Sequence, residues 1–334
     1  MTKPNLSPLD SSLLERFLKE TWERSFNLTD PHHLTVISDR DCPSAIELAQ
    51  AYQTVYPTAT HILFNPANAP ALLAHLESLP AGHGVALIQS SSFRLNAFRL
   101  RVELFKQGLS VIEYPHLNRL NAEQWAIYQD SIDPRWDYYH QSSAKIVAWI
   151  NALENYNLIT SAGTLSYQGK FEDPKLNIGD YTGLKNHGGQ WPIGEVFTEP
   201  KDLTLVNGSV GIFAFGNAEF KLEVVQTPIT LIIENGEVVD TKNAPASFLA
   251  VLDQIRASEG ITVREFGIGL NPAFSPTKTV SDVGMFERML GIHLSLGGKH
   301  AIYAKPGLSR RHSRFHVDVF VAGGPEIVES ILAN

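Results

Sequence analysis

Short apolar runs alternate with stretches of helical period through the first third of the chain. The runs LTVIS (34–38), HILFN (61–65), GVALIQS (84–90) and LSVIEY (109–114) read as strands, and the segments 43–55, 68–78 and 92–107 between them as helices. Strands separated by helices form βαβ units, so an α/β fold with a parallel, Rossmann-like sheet is expected over 31–135. Ahead of it, Leu13, Leu14, Phe17, Trp22 and Phe26 trace a helical stripe, which predicts an amphipathic helix over 10–26 within an N-terminal segment 1–30. A further helical stretch, 122–156, bridges to the remainder.

The period then shortens. NLITSAGTLSYQG, LTLVNGSVGIFAF, FKLEVVQTPITLIIENGEVVD, ITVREFGIGL, GIHLSLG and FHVDVFVAGG are alternating, turn-bounded strands, with ENGE as a hairpin turn and one more helix near 246–258. The expected organisation is therefore an N-terminal Rossmann-like parallel-sheet domain followed, over 136–334, by the bridging helix and a β-rich domain. Glycine usage marks the same change: of 24 glycines only Gly82, Gly84 and Gly108 precede residue 151. No G-x-G-x-x-G follows the first strand, where the turn reads SDRDCPS, so the first sheet is read as a scaffold rather than a dinucleotide site.

With 334 residues, of which 43% are hydrophobic and 19% charged, the chain has the composition of a globular protein. Its 27 Lys and Arg against 35 Asp and Glu leave a net charge of −8, which argues against nucleic acid or an anionic membrane as partner. One cysteine, Cys42, excludes an intrachain disulfide framework and a Cys-rich zinc site. No signal-peptide core and no long uninterrupted apolar window is evident, so a cytoplasmic location is expected.

Candidate chemistry gathers in the second part. In Phe315-His316-Val317-Asp318-Val319-Phe320, His316 and Asp318 share one face of a strand, as a pair of metal ligands or a hydrogen-bonded surface pair. His293 lies between Ile292 and Leu294, either as a ligand or as a core-adjacent histidine satisfied by a carbonyl. Glu195 and Glu265 occupy apolar, Gly- and Pro-marked segments where a buried carboxylate needs a partner. Together Glu195, Glu265 and Asp318 carry three negative charges. One divalent ion would leave −1 and two would leave +1, the balance a two-metal hydrolase uses to hold hydroxide and still polarise a carbonyl.

Five blocks, in order, resemble the metallopeptidases of the aminopeptidase T, or thermophilic metalloprotease, group. They are Gly163-Thr164-Leu165, the run Pro192-Ile193-Gly194-Glu195-Val196-Phe197-Thr198-Glu199-Pro200, the run Glu265-Phe266-Gly267-Ile268-Gly269-Leu270-Asn271-Pro272, Gly291-Ile292-His293 with Gly297, and His316-Val317-Asp318. The resemblance covers roughly 157–325 and implies that Glu195, Glu265, His293, His316 and Asp318 hold two divalent ions, zinc, cobalt or manganese. It further implies a water-activating hydrolase acting at the free N-terminus of a peptide, as a homodimer. Departures lie around His293, which follows Leu290-Gly291-Ile292, and where the family places a tyrosine: His300 occupies that neighbourhood and Tyr303 is the nearest tyrosine. Glu195, His300 and Tyr303 are the expected catalytic residues, Lys299 could join them, and the basic run Ser309–Arg314 could hold a substrate anion.

A related branch resembles the 2,5-dihydroxypyridine dioxygenases, which use one Fe(II) held by two histidines and a carboxylate. There the position of Glu265 is typically a histidine and that of Glu195 is not acidic, so the ligand set favours the peptidase. A third expectation is a catalytically inactive relative that binds a peptide or small molecule without cleaving it.

Overall fold

A computed structural model describes residues 11–93, 100–300, 302–305, 308 and 313–333. The chain divides into two compact units, residues up to Trp136 with Gly179–Ile193, and Asp137–Ile178 with Gly194–Asn334. The sequence boundary at 135/136 did not include the return of 179–193 to the first unit.

The strands are β1 (Leu34–Ser38), β2 (Thr60–Leu63), β3 (Gly84–Ile88), β4 (Ser110–Tyr114), β5 (Asn155–Thr160), β6 (Gly163–Gln168), β7 (Lys175–Asn177), β8 (Gly188–Gln190), β9 (Glu195–Thr198), β10 (Val206–Gly216), β11 (Leu222–Glu234), β12 (Glu237–Lys242), β13 (Val263–Gly269), β14 (Gly291–Leu296) and β15 (Val317–Val321). The first unit holds a five-stranded parallel sheet in the order β2-β1-β3-β4-β8, in agreement with the expected α/β class. β3 is buried along its whole length and β1 nearly so, which is why both read as largely apolar runs without polar alternation. The helices Ser11–Phe26, Pro43–Val55 and Ala69–Ser78 form where the apolar period placed them. Leu14, Phe17, Leu18 and Trp22 bury the inner face of the first, and Trp22 Nε1 donates to Tyr52 Oη at 3.0 Å.

Local expectations change, and β7, β9 and the C-terminal helix Gly324–Ala333 add to those predicted. The predicted 92–107 helix runs from Leu100 to Lys106, Ser92 and Phe93 are not helical, and residues 94–99 lie outside the described residues. The single bridging helix is two, Ala122–Ser131 and Trp136–Ala152. Pro134 explains the break: it has no N–H to donate and disfavours the helical conformation at Asp133. The strand β8, absent from the sequence reading, pairs with β4 through a Gly188 at φ +133°, where a Cβ would collide with the Val111 backbone.

The second unit carries a ten-stranded antiparallel sheet ordered β12-β11-β10-β15-β14-β13-β9-β7, with β6 pairing with β10 and β5. Asn235 and Gly236, at φ 50° and 80°, make the left-handed ENGE turn between β11 and β12. Helix Ala246–Arg256 buries Phe248, Val251, Leu252 and Ile255, and a C-terminal helix, Gly324–Ala333, completes the unit. Among the described residues no helix is long and apolar enough to cross a membrane.

Candidate metal centre

Four neighbouring strands of the second unit, in the order β15-β14-β13-β9, deliver the carboxylates and imidazoles. Glu195 opens β9 opposite Gly269, Glu265 lies on β13, His293 on β14 stands opposite Gly267, and Asp318 on β15 stands opposite Ser295. Side chains two apart on a strand share a face, so Glu265 and Gly267 point the same way and the His293 ring occupies the space Gly267 leaves. A Cβ on residue 267 would overlap that ring. Gly267→Ala is therefore expected to displace His293, lower stability by about 1–3 kcal/mol and reduce metal content; an unchanged melt with unchanged metal content would refute this coupling.

The donor atoms converge in two groups, Glu195 with Glu265 and His293, and Glu265 with His316 and Asp318. Within each, the atoms lie inside 4.8 Å of one another, and Glu265 belongs to both. His293 Nε2 is 3.2 Å from Glu195 Oε1 and 3.4 Å from Glu265 Oε1, and His316 Nε2 is 3.1 Å from Asp318 Oδ1. Glu195, Glu265, His293 and Asp318 are each at most 6% exposed. Despite these approaches, His293 Nε2 and Asp318 Oδ1 make no bond of hydrogen-bonding geometry. Buried polar atoms crowded together yet unsatisfied suit a cation between them, and the mixed nitrogen and oxygen donor set suits a divalent transition metal.

The electrostatics are those of a closely packed ion cluster. Burial would lower the His293 and His316 imidazoles, but Glu195 and Glu265 around the first, and Asp318 with Glu265 around the second, raise both to about 10. Burial pushes the carboxyls of Glu265 and Asp318 up, and the imidazoles outweigh it and hold both below their ordinary values.

Of the expected catalytic residues, His300 joins the cluster: its Nε2 is 3.1 Å from Glu265 Oε2. Tyr303 packs its ring against His300, but its hydroxyl donates to the Asp173 carbonyl at 2.6 Å, so it faces backbone rather than the carboxylates. Lys299 reaches the site through its backbone, its carbonyl lying 3.1 Å from His316 Nδ1. Within the basic run, 309–312 lie outside the described residues; the Arg314 backbone N–H donates to Glu259.

Sequence reasoning missed a ring of buried charges around the donors. Arg288 Nη1 lies 3.0 Å from Glu195 Oε2 and pairs with Glu287. Burial, opposed by Arg288 and reinforced by Glu195 and Asp318, raises the Glu287 carboxyl to about 8. Glu199, fully buried, accepts from Arg264 Nε at 2.7 Å. The available signal was charge inside apolar runs, Arg264 in VREFGIG and Glu287-Arg288 in MFERML, since a charge there requires a partner.

No protein-family model and no curated protein sequence matches the chain. Among solved structures it is similar to 2,5-dihydroxypyridine dioxygenase from Pseudomonas putida KT2440, with a TM-score of 0.58 and 15% identity, covering 94% of this chain and 93% of that one. It is similar also to wild-type AmpT from Thermus thermophilus, with a TM-score of 0.53 and 15% identity over 93% and 92% of the two chains. These likenesses show a common fold.

Proposed function

We propose that the chain is a metal-dependent hydrolase that releases N-terminal residues from peptides. The observation that carries this reading is the pair of ligand groups joined by Glu265, the arrangement a cocatalytic pair of ions requires. The fold shared with AmpT and the five blocks that resemble the aminopeptidase T group support it. Glu195, Glu265 and His293 would hold one ion, and Glu265, His316 and Asp318 the other. Divalent ions bound there would supply Lewis acidity, polarising a carbonyl and bringing the pKa of water toward neutrality.

The protein's own groups orient and balance these donors. Arg288 fixes the second oxygen of Glu195, and the Ser295 hydroxyl accepts the Glu265 backbone N–H at 3.0 Å. In this reading Glu195 would also take up the proton that an attacking water sheds.

Elemental analysis of protein purified without chelator, joined to an N-terminal cleavage assay on unblocked peptides, tests the reading. About two zinc, cobalt or manganese ions per chain with cleavage are expected. One iron with oxygen uptake on a dihydroxypyridine would replace the reading by a ring-opening oxygenase, and peptide binding without cleavage by an inactive relative.

The raised imidazoles add a pH dependence. Ions must displace protons from His293 and His316, so affinity for zinc is expected to rise with pH and binding to release protons. In metal-free protein the imidazolium contribution to stability is complete below the ordinary histidine value of 6.5 and lost as pH rises toward 10. The chelator-treated chain should therefore show a Tm falling across that window, measured by thermal melts, whereas the zinc-loaded chain should not.

A further inference from the structure

His300 lies outside both ligand groups, yet its ring is placed as theirs are. Its side chain is 8% exposed, and Nε2 meets Glu265 Oε2 at 3.1 Å, the oxygen opposite the one that His293 approaches. Its other nitrogen, Nδ1, faces Glu199 Oε2 at 3.5 Å. His316 has the same disposition, with Nε2 toward Asp318 Oδ1 at 3.1 Å and Nδ1 at 3.1 Å from the Lys299 carbonyl. An acceptor at Nδ1 keeps the proton on that nitrogen and leaves the Nε2 lone pair facing the carboxylates, the arrangement of a histidine that ligates a metal.

Glu199 is well made for that task. It follows β9 by one residue and lies four residues after Glu195, so one extended segment presents both carboxylates on the same face. It is fully buried, and its position is fixed by Arg264 Nε at 2.7 Å, with Lys305 Nζ 3.9 Å away. Arg264 is the residue before Glu265 on β13, and its guanidinium also donates to the Gly298 and Tyr303 carbonyls on either side of His300. The same ion pair therefore anchors Glu199 and the backbone that carries His300.

We propose that His300 is a further metal ligand of the cluster and that Glu199 is the positioning residue that holds its Nδ1–H, directing Nε2 toward the ions. This deepens the metal-centre reading above and rests on it. The donor set becomes three imidazoles and three carboxylates, and because a neutral imidazole adds no charge, the balance with two divalent ions is unaltered.

Zinc affinity by competition titration, the visible spectrum of the cobalt(II)-loaded chain and the imidazole count by X-ray absorption test the proposal on the full-length protein. His300→Gln is expected to weaken zinc binding at least about tenfold, change the cobalt spectrum and remove one imidazole per chain. Glu199→Gln should weaken binding by about 10- to 100-fold in the wild-type background and add nothing in the His300→Gln background. Wild-type zinc affinity and an unchanged cobalt spectrum in His300→Gln would overturn the proposal. A further loss from Glu199→Gln on top of His300→Gln would overturn the positioning role of Glu199. Because Glu199→Gln also deprives Arg264 of its ion pair, His300→Gln, which leaves that pair intact, carries the test if the former does not fold. A wild-type chain that binds zinc but cleaves no peptide would instead refute the hydrolase reading and leave this one standing.

Discussion

Glu265→Gln is expected to disable both ligand groups at once, whereas substitution of any other ligand disables one. Glu265 alone belongs to both groups, and its two oxygens meet different imidazoles, His293 at 3.4 Å and His300 at 3.1 Å. Glutamine keeps the volume and one acceptor but loses the charge, in a position 6% exposed where water cannot replace it. Zinc affinity should fall by at least about a hundredfold at each group, with metal content by elemental analysis near zero and peptide turnover lost with it. Asp318→Asn should leave the group of Glu195, Glu265 and His293 able to take an ion. The fold should survive, because the backbone bond from Glu265 to Ser295 does not involve the carboxylate. Glu265→Gln with the metal content of the wild type would exclude a shared carboxylate.

Arg264→Met is expected to cost the fold the most of any single change in this region, about 3–5 kcal/mol. It would leave Glu199, with no exposed surface, without its nearest cation, and Lys305 at 3.9 Å is already engaged by Glu172 at 2.6 Å and by the Pro200 and Lys201 carbonyls. The Gly298 and Tyr303 carbonyls would lose a donor in the same step. Replacing both partners by apolar residues, Arg264→Met with Glu199→Leu, should recover much of the loss, since an ion pair's desolvation cost disappears with it. Denaturant unfolding of the two variants decides the point; a double variant no more stable than Arg264→Met would show that the carbonyl bonds, not the charges, carry the stability.

Much of this was legible along the chain because the relevant periods are local. Leu34–Ser38 and Gly84–Ile88 are mostly apolar without alternation, since both faces of a central parallel strand are covered, and ENGE supplies the two left-handed residues of its turn. The helical stretch 122–156 is broken by a local feature, Pro134. β8 was missed because three residues, two of them glycine, have no period to read, and only the edge of β4 makes them a strand.

The candidate ligands have a similar division. His316 directly precedes β15 and Asp318 lies on it two residues further on, so their proximity follows from the two-residue period of the sequence. So do the residue types at Glu195, Glu265 and His293, because an ionisable group in an apolar run needs a partner wherever it ends up. That Glu265 rather than Glu195 belongs to both groups depends on strand order, β15-β14-β13-β9, which places β13 between the other donors and which no local pattern encodes. The same holds for Arg288 against Glu195 and for Glu199 between Arg264 and His300, contacts between residues 65 to 101 positions apart. The sequence by itself determined most of the elements with a clear period and the residue types that carry the chemistry, since these depend on neighbours a few positions away. Only the tertiary structure decided who shares, who pairs and which imidazole turns toward the carboxylates, because those are set by distances of a few ångströms between strands far apart in the sequence.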